Sequence, residues 1–111
     1  MMLADMLKAE GYHVDAVRSG IQTILQVPQK TYDAVILDMG LPDFSGRAVQ
    51  HAFSAFHPSL PIIVHTGEIS LELKQQCFYN GAFAYLTKPC DFGELKRVVR
   101  EAVASGRGNQ E

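Results

Sequence analysis

Three short apolar runs, each handing over to a polar side chain and each separated from the next by a segment of helical period, constrain this chain more than any other feature. Ala34-Val35-Ile36-Leu37 runs into Asp38, Ile62-Ile63-Val64 into His65-Thr66, and Ala84-Tyr85-Leu86 into Thr87-Lys88-Pro89. Runs this short and this bare fit strands covered on both faces, the pattern of a parallel sheet rather than a one-sided antiparallel one. Parallel strands need crossover connections, and helices are the usual ones.

The segments between the runs supply them. Ala48, Val49, Ala52, Phe53 and Phe56 form an apolar stripe closed near Pro58. Ser70 to Asn80 reads as a second helix with Gly81 at its C-cap. Asp91 caps a third, with Glu94 as capping-box partner and Phe92, Leu95, Val98, Val99, Ala102 and Val103 on its apolar face. Upstream, Leu3, Met6 and Leu7 keep helical spacing before Gly11, and Ile21, Ile24 and Leu25 resume it after Ser19-Gly20. Between these two helices, His13-Val14-Asp15-Ala16-Val17 alternates as a short strand does. Residues 1–104 therefore read as one domain, and Ser105 to Glu111, polar and glycine-containing, as a flexible tail.

Strands alternating with helices predict an open, doubly wound α/β fold with helices on both faces of a parallel sheet. In such folds chemistry gathers at the C-terminal ends of the strands. Three reactive side chains stand there: Asp38, Thr66 and Lys88. A carboxylate can accept a phosphoryl group, an ammonium can neutralise its charge, and a hydroxyl can donate to a phosphate oxygen. The carbonyl of Gly40 in the following loop could serve a magnesium ion, which prefers oxygen ligands. Singly, each residue has a plainer role as turn former, backbone partner or solvated charge. Their joint placement at three strand ends favours a site.

Composition excludes several other functions. Ten basic against twelve acidic residues give a net charge of -2, so there is no global basic field to hold a nucleic-acid backbone. No apolar run approaches the roughly 18 residues of a membrane span, and Asp5 stands where a secretory signal would be basic, which predicts a cytoplasmic protein. Cys77 and Cys90 form no CxxC pair, and His13, His51, His57 and His65 show no zinc-helix spacing, so neither set carries a metal or redox signature. Strand alternation turns His65 away from the face of Thr66, and no catalytic role is assigned to it. A Gly-rich phosphate loop, a GxSxG elbow and an HExxH motif are all missing from the sequence.

The segments Tyr32 to Asp38, Leu41-Pro42-Asp43-Phe44-Ser45-Gly46, Pro61 to Thr66 and Gly81 to Pro89 closely resemble the receiver domains of bacterial two-component response regulators. The resemblance implies a flavodoxin-like fold with strand order 2-1-3-4-5. It implies Asp38 as phosphoacceptor, Thr66 as switch hydroxyl, Lys88 as phosphate-binding lysine and Tyr85 as aromatic switch. A sensor histidine kinase or histidine phosphotransfer protein would be the donor, magnesium the cofactor, and the last helix with Tyr85 the face for a second copy or an effector.

The departure is at the front. Receiver domains begin with a central strand ending in two acidic residues that hold magnesium, and this chain has neither, since Leu3, Leu7 and Gly11 align with the family's first helix. Asp5, on that helix, cannot substitute. The missing strand would leave about 9.6 Å, two strand spacings, between residues 13–17 and the next strand. A start that cuts off a normal domain is the favoured explanation, ahead of a partner chain in the gap or a rearranged sheet. On this reading the full-length form is phosphorylated on Asp38, while the 111-residue chain takes little or no phosphate and performs at most self-phosphorylation and self-dephosphorylation. The alternatives are a receiver-like module that signals by contact without phosphate and, more weakly, a haloacid dehalogenase-like phosphatase, which wants an Asp where Gly40 stands.

Overall fold

A computed structural model describes residues 2–39, 46–67 and 70–108. In chain order its elements are α1 (Met2–Ala9), α2 (Gly20–Gln26), a 3-10 turn (Val27–Gln29), β1 (Val35–Asp38), α3 (Gly46–Phe56), β2 (Ile62–Thr66), α4 (Leu71–Tyr79), β3 (Ala84–Thr87) and α5 (Phe92–Gly108). The three strands form one parallel sheet in the order β1-β2-β3. Its register sets Asp38 beside His65, and Thr66 beside Thr87.

Both faces of the sheet are covered, which explains the bare apolar runs. Ile63 and Leu86 point to one side, where they pack with Leu95, Val98, Val99 and Ala102 of α5 and Leu7 of α1. Leu37 and Ile62 point to the other, against Val49 and Phe53 of α3, and Val64 meets Leu73 and Cys77 of α4. Adjacent residues of one strand thus enter opposite cores, as the two-residue period of a strand requires.

Side-chain oxygens start three of the helices. Ser19, Ser70 and Asp91 accept from the backbone N–H groups of Gln22, Leu73 and Glu94, each at 3.1 Å. Such a cap stabilises a helix by about 1 kcal/mol. Gly11 and Gly81 take φ +96° after α1 and α4, a conformation that favours glycine.

Two expectations differ from the structure. Residues 13–17 form no strand: 12–18 carry no regular structure, and none of them enters the sheet. Alternation marks an extended, two-faced stretch, but a strand exists only with a ladder partner. Side chains secure the segment instead. The Asp15 carboxylate accepts from the Tyr32 hydroxyl at 2.6 Å and from Lys30 Nζ at 3.0 Å, and Tyr12 and Val14 rest on the α5-side core. At the other end, α5 continues to Gly108, past Ala104 where the sequence pattern placed the end of the domain. The Gly40 carbonyl and the loop through Ser45 lie outside the described residues.

Candidate functional site

The sheet carries β1, β2 and β3 to a common edge at their C-terminal ends, and there two of the expected side chains meet. Lys88, the first residue after β3, donates from Nζ to Asp38 Oδ2 at the end of β1, at 2.6 Å. Both are about half exposed, at 40% for the lysine and 47% for the aspartate side chain. The pair is therefore open to an incoming group. Lys88 is also held by its backbone, whose N–H donates to the carbonyl of Thr66 at 2.7 Å. The main chain at Lys88 is thereby fixed to the end of β2.

Thr66 itself is buried, at 4% exposure, and follows Ile62 and Val64 onto the α3 and α4 side. Tyr85 packs on the same side, against the Val64, Leu73 and Cys77 cluster. The four expected residues thus divide: Asp38 and Lys88 touch, Thr66 is tied to Lys88 through the backbone, and Tyr85 lies beside α4.

His65 is nearer the site than its sequence context suggests. It stands opposite Asp38 in the register, on the side facing α5, where its Nε2 lies 3.6 Å from Cys90 Sγ. Burial, then the Lys88 ammonium, pushes its pKa below the ordinary histidine value, and the Asp38 carboxylate opposes that shift only in part. Burial also pushes the Cys90 thiol up, helped by the carboxylates of Glu94 and Asp91. The two therefore meet as a neutral imidazole and a neutral thiol. Nothing in the sequence spacing signals this contact, because only the sheet register and the docking of α5 bring residues 25 apart together.

Residues 1–100 match the model of the response regulator receiver domain family. The chain belongs to that family. It is a receiver domain of two-component systems, a signalling domain rather than a classical enzyme. It is 30% identical over 106 residues to the transcriptional regulatory protein ZraR of Klebsiella oxytoca, a match that covers 96% of this chain and 24% of that protein. The chain spans about a quarter of the length of the curated relatives it matches first. Among solved structures, the signal receiver domain of a Luxo repressor protein from Vibrio parahaemolyticus superposes with TM-score 0.92 at 25% identity, covering 98% of this chain and 84% of that one. The receiver domain of sensor histidine kinase PA1611 from Pseudomonas aeruginosa, with a magnesium ion in its active site cleft, superposes with TM-score 0.83 at 28% identity over 93% of this chain and 86% of that one.

Magnesium fits this receiver's described residues poorly. Among them no group of three or more His, Cys, Asp or Glu side chains is gathered for a metal ion. The Asp38 carboxylate is engaged by Lys88, whereas magnesium requires several oxygen ligands. No helix among the described residues is long and apolar enough to cross a membrane.

Proposed function

We propose that Asp38 is the phosphoacceptor of this receiver domain, and that Lys88 is the group that holds the phosphoryl charge. The observation that carries this reading is the 2.6 Å contact between Lys88 Nζ and Asp38 Oδ2 at the open end of the sheet. In the transfer, a carboxylate oxygen of Asp38 attacks the phosphorus of a phosphohistidine. The new P–O bond forms as the P–N bond breaks, and the electron pair returns to the donor imidazole nitrogen, so that an imidazole already protonated on its other ring nitrogen leaves as neutral histidine. Lys88 then pairs with a phosphate oxygen as well as with the carboxyl group.

Thr66 and Tyr85 are the proposed switch. A phosphoryl group adds a charge of about -1.5 to -2, which draws the Thr66 hydroxyl and the Lys88 ammonium towards it. Movement at Thr66, which shares a face of the sheet with Tyr85, biases the tyrosine between orientations. The Tyr85 face and the last helix are the surfaces offered to a second copy or an effector. The donor is a sensor histidine kinase or histidine phosphotransfer protein, and the compartment is the cytoplasm.

The test compares two forms treated with a small phosphodonor and magnesium, read by mass spectrometry: the 111-residue chain, and the same chain preceded by a strand ending in two acidic residues. The extended form is expected to take a label that Asp38→Asn removes, and the 111-residue form little. An extended form without Asp38-dependent label would leave the phosphate-independent interaction module as the better reading. Efficient Asp38-dependent labelling of the 111-residue form would overturn the need for the acidic pair.

A further inference from the structure

Helix α2 buries its small residues, Gly20 and Thr23, and leaves its large apolar ones exposed. Ile21 and Leu25 are 50% and 63% exposed, and Ile24 and Val17 are each exposed by more than a third. Ile21, Ile24 and Leu25 stand three and four residues apart, so they form one continuous patch on the helix surface. An amphipathic helix ordinarily turns such a stripe into its own core. We propose that this face of α2 is a contact surface for a second copy of the chain, through which two copies form a weak, reversible dimer with twofold symmetry.

Charge favours a second copy over another partner. From Ser19 to Gln29 no side chain is charged, although charged residues make up 20% of the chain. Lys30, just beyond, is paired with Asp15 at 3.0 Å. A charged partner finds no opposite charge along this stretch. An uncharged apolar face, by contrast, meets its own copy without like-charge repulsion, which is the condition an isologous contact has to satisfy. The net charge of -2 adds little repulsion between whole protomers.

Size sets the strength of the contact. The four side chains together expose roughly 300 Å², the lower end of the range for the largest apolar patch on an ordinary monomer. A standard interface buries about 800 Å² on each partner. The patch therefore supplies an apolar centre, the exposed Gln22 and Pro28 contribute to a polar and mixed rim, and the whole falls in the small, transient class. Val27, which follows α2, packs with Leu37 of β1, so the patch lies at the β1 end of the sheet. Tyr85 stands on β3, at the other end. The α2 contact is thus separate from the Tyr85 face and needs no phosphoryl group.

Sedimentation velocity of the 111-residue chain, from low micromolar to near-millimolar concentration, tests the proposal. The wild type is expected to pass reversibly from monomer to dimer as concentration rises, and amide shifts that depend on concentration are expected in NMR spectra at residues 17–27. Leu25→Glu places a charge at an exposed site without touching the core, and is expected to stay monomeric over the same range. Leu25→Met and Tyr85→Ala are expected to dimerise as the wild type does. Circular dichroism of each variant confirms the fold. A wild type that is monomeric throughout or grows beyond the dimer, a Leu25→Glu variant that still dimerises, or a dimer lost in Tyr85→Ala with its shifts mapping to α5 would each overturn the proposal.

Discussion

Lys88 Nζ and Asp38 Oδ2 meet at 2.6 Å across the end of the sheet, fifty residues apart in the chain and about half exposed. That combination separates function from stability. An exposed ion pair contributes roughly 0–1 kcal/mol to folding, but a charge-assisted hydrogen bond to a phosphoryl group is worth about 1.5–3 kcal/mol. Lys88→Ala is therefore expected to change urea-unfolding stability by less than about 1 kcal/mol. It should lower Asp38 labelling of the acid-extended form about tenfold or more. A variant that unfolds readily, or one that labels as well as wild type, would refute this division.

The two partners were legible in the sequence because each ends a bare apolar run, and strand ends in a parallel sheet converge on one edge. Thr66 was legible for the same reason. The His65–Cys90 contact was not, because neither alternation nor spacing specifies which residue of α5's approach will face which residue of β2. The segment 13–17 misled for a related reason: period-two alternation reports two environments along an extended stretch and says nothing about a hydrogen-bonding neighbour. What holds that segment, Asp15 against Tyr32 and Lys30, is a set of side-chain bonds with no periodic signature.

Asp15 gives the acid dependence a specific source. Its pKa is lowered from 3.8, first by the hydrogen bond from Tyr32 and then by Lys30. A carboxyl whose folded pKa lies below its unfolded value stabilises the fold above the unfolded pKa and loses that contribution as pH falls through the folded one. The difference in unfolding free energy between wild type and Asp15→Asn is expected to be constant above about pH 5 and to shrink as pH falls below about 4. Denaturant unfolding at several pH values measures it; a gap that widens on acidification would reverse the sign assigned to Asp15.

Gly11 and Gly81 share φ +96° but not their surroundings. A Cβ at Gly11 meets nothing within 4 Å, whereas at Gly81 it lies 3.4 Å from Ser54 Oγ. That hydroxyl also donates to the Asn80 carbonyl at the end of α4. Backbone strain alone costs about 1–2 kcal/mol in either case. Gly11→Ala and Gly81→Ala should therefore lose about the same amount of stability, since 3.4 Å is an ordinary van der Waals contact. A clearly larger loss at Gly81 in urea titrations would mean that Ser54 has to give way.

Gln50 makes the least expected prediction. The side chain is buried at 1% exposure on α3, and its Nε2 donates to the Cys77 carbonyl at 2.8 Å. Its Oε1 is buried with no hydrogen-bond partner among the described residues. The Cys77 carbonyl already accepts from Ala82 N–H at 3.0 Å, so removing the glutamine amide does not orphan it. An unsatisfied buried acceptor costs about 1–3 kcal/mol, and one neutral hydrogen bond contributes about 1 kcal/mol. Gln50→Met keeps the volume, discards both, and is expected to leave stability unchanged or raise it by up to about 2 kcal/mol. Thermal and urea unfolding would test this directly: a loss of more than about 1 kcal/mol would show that the bond to Cys77, which ties α3 to α4, outweighs the buried oxygen.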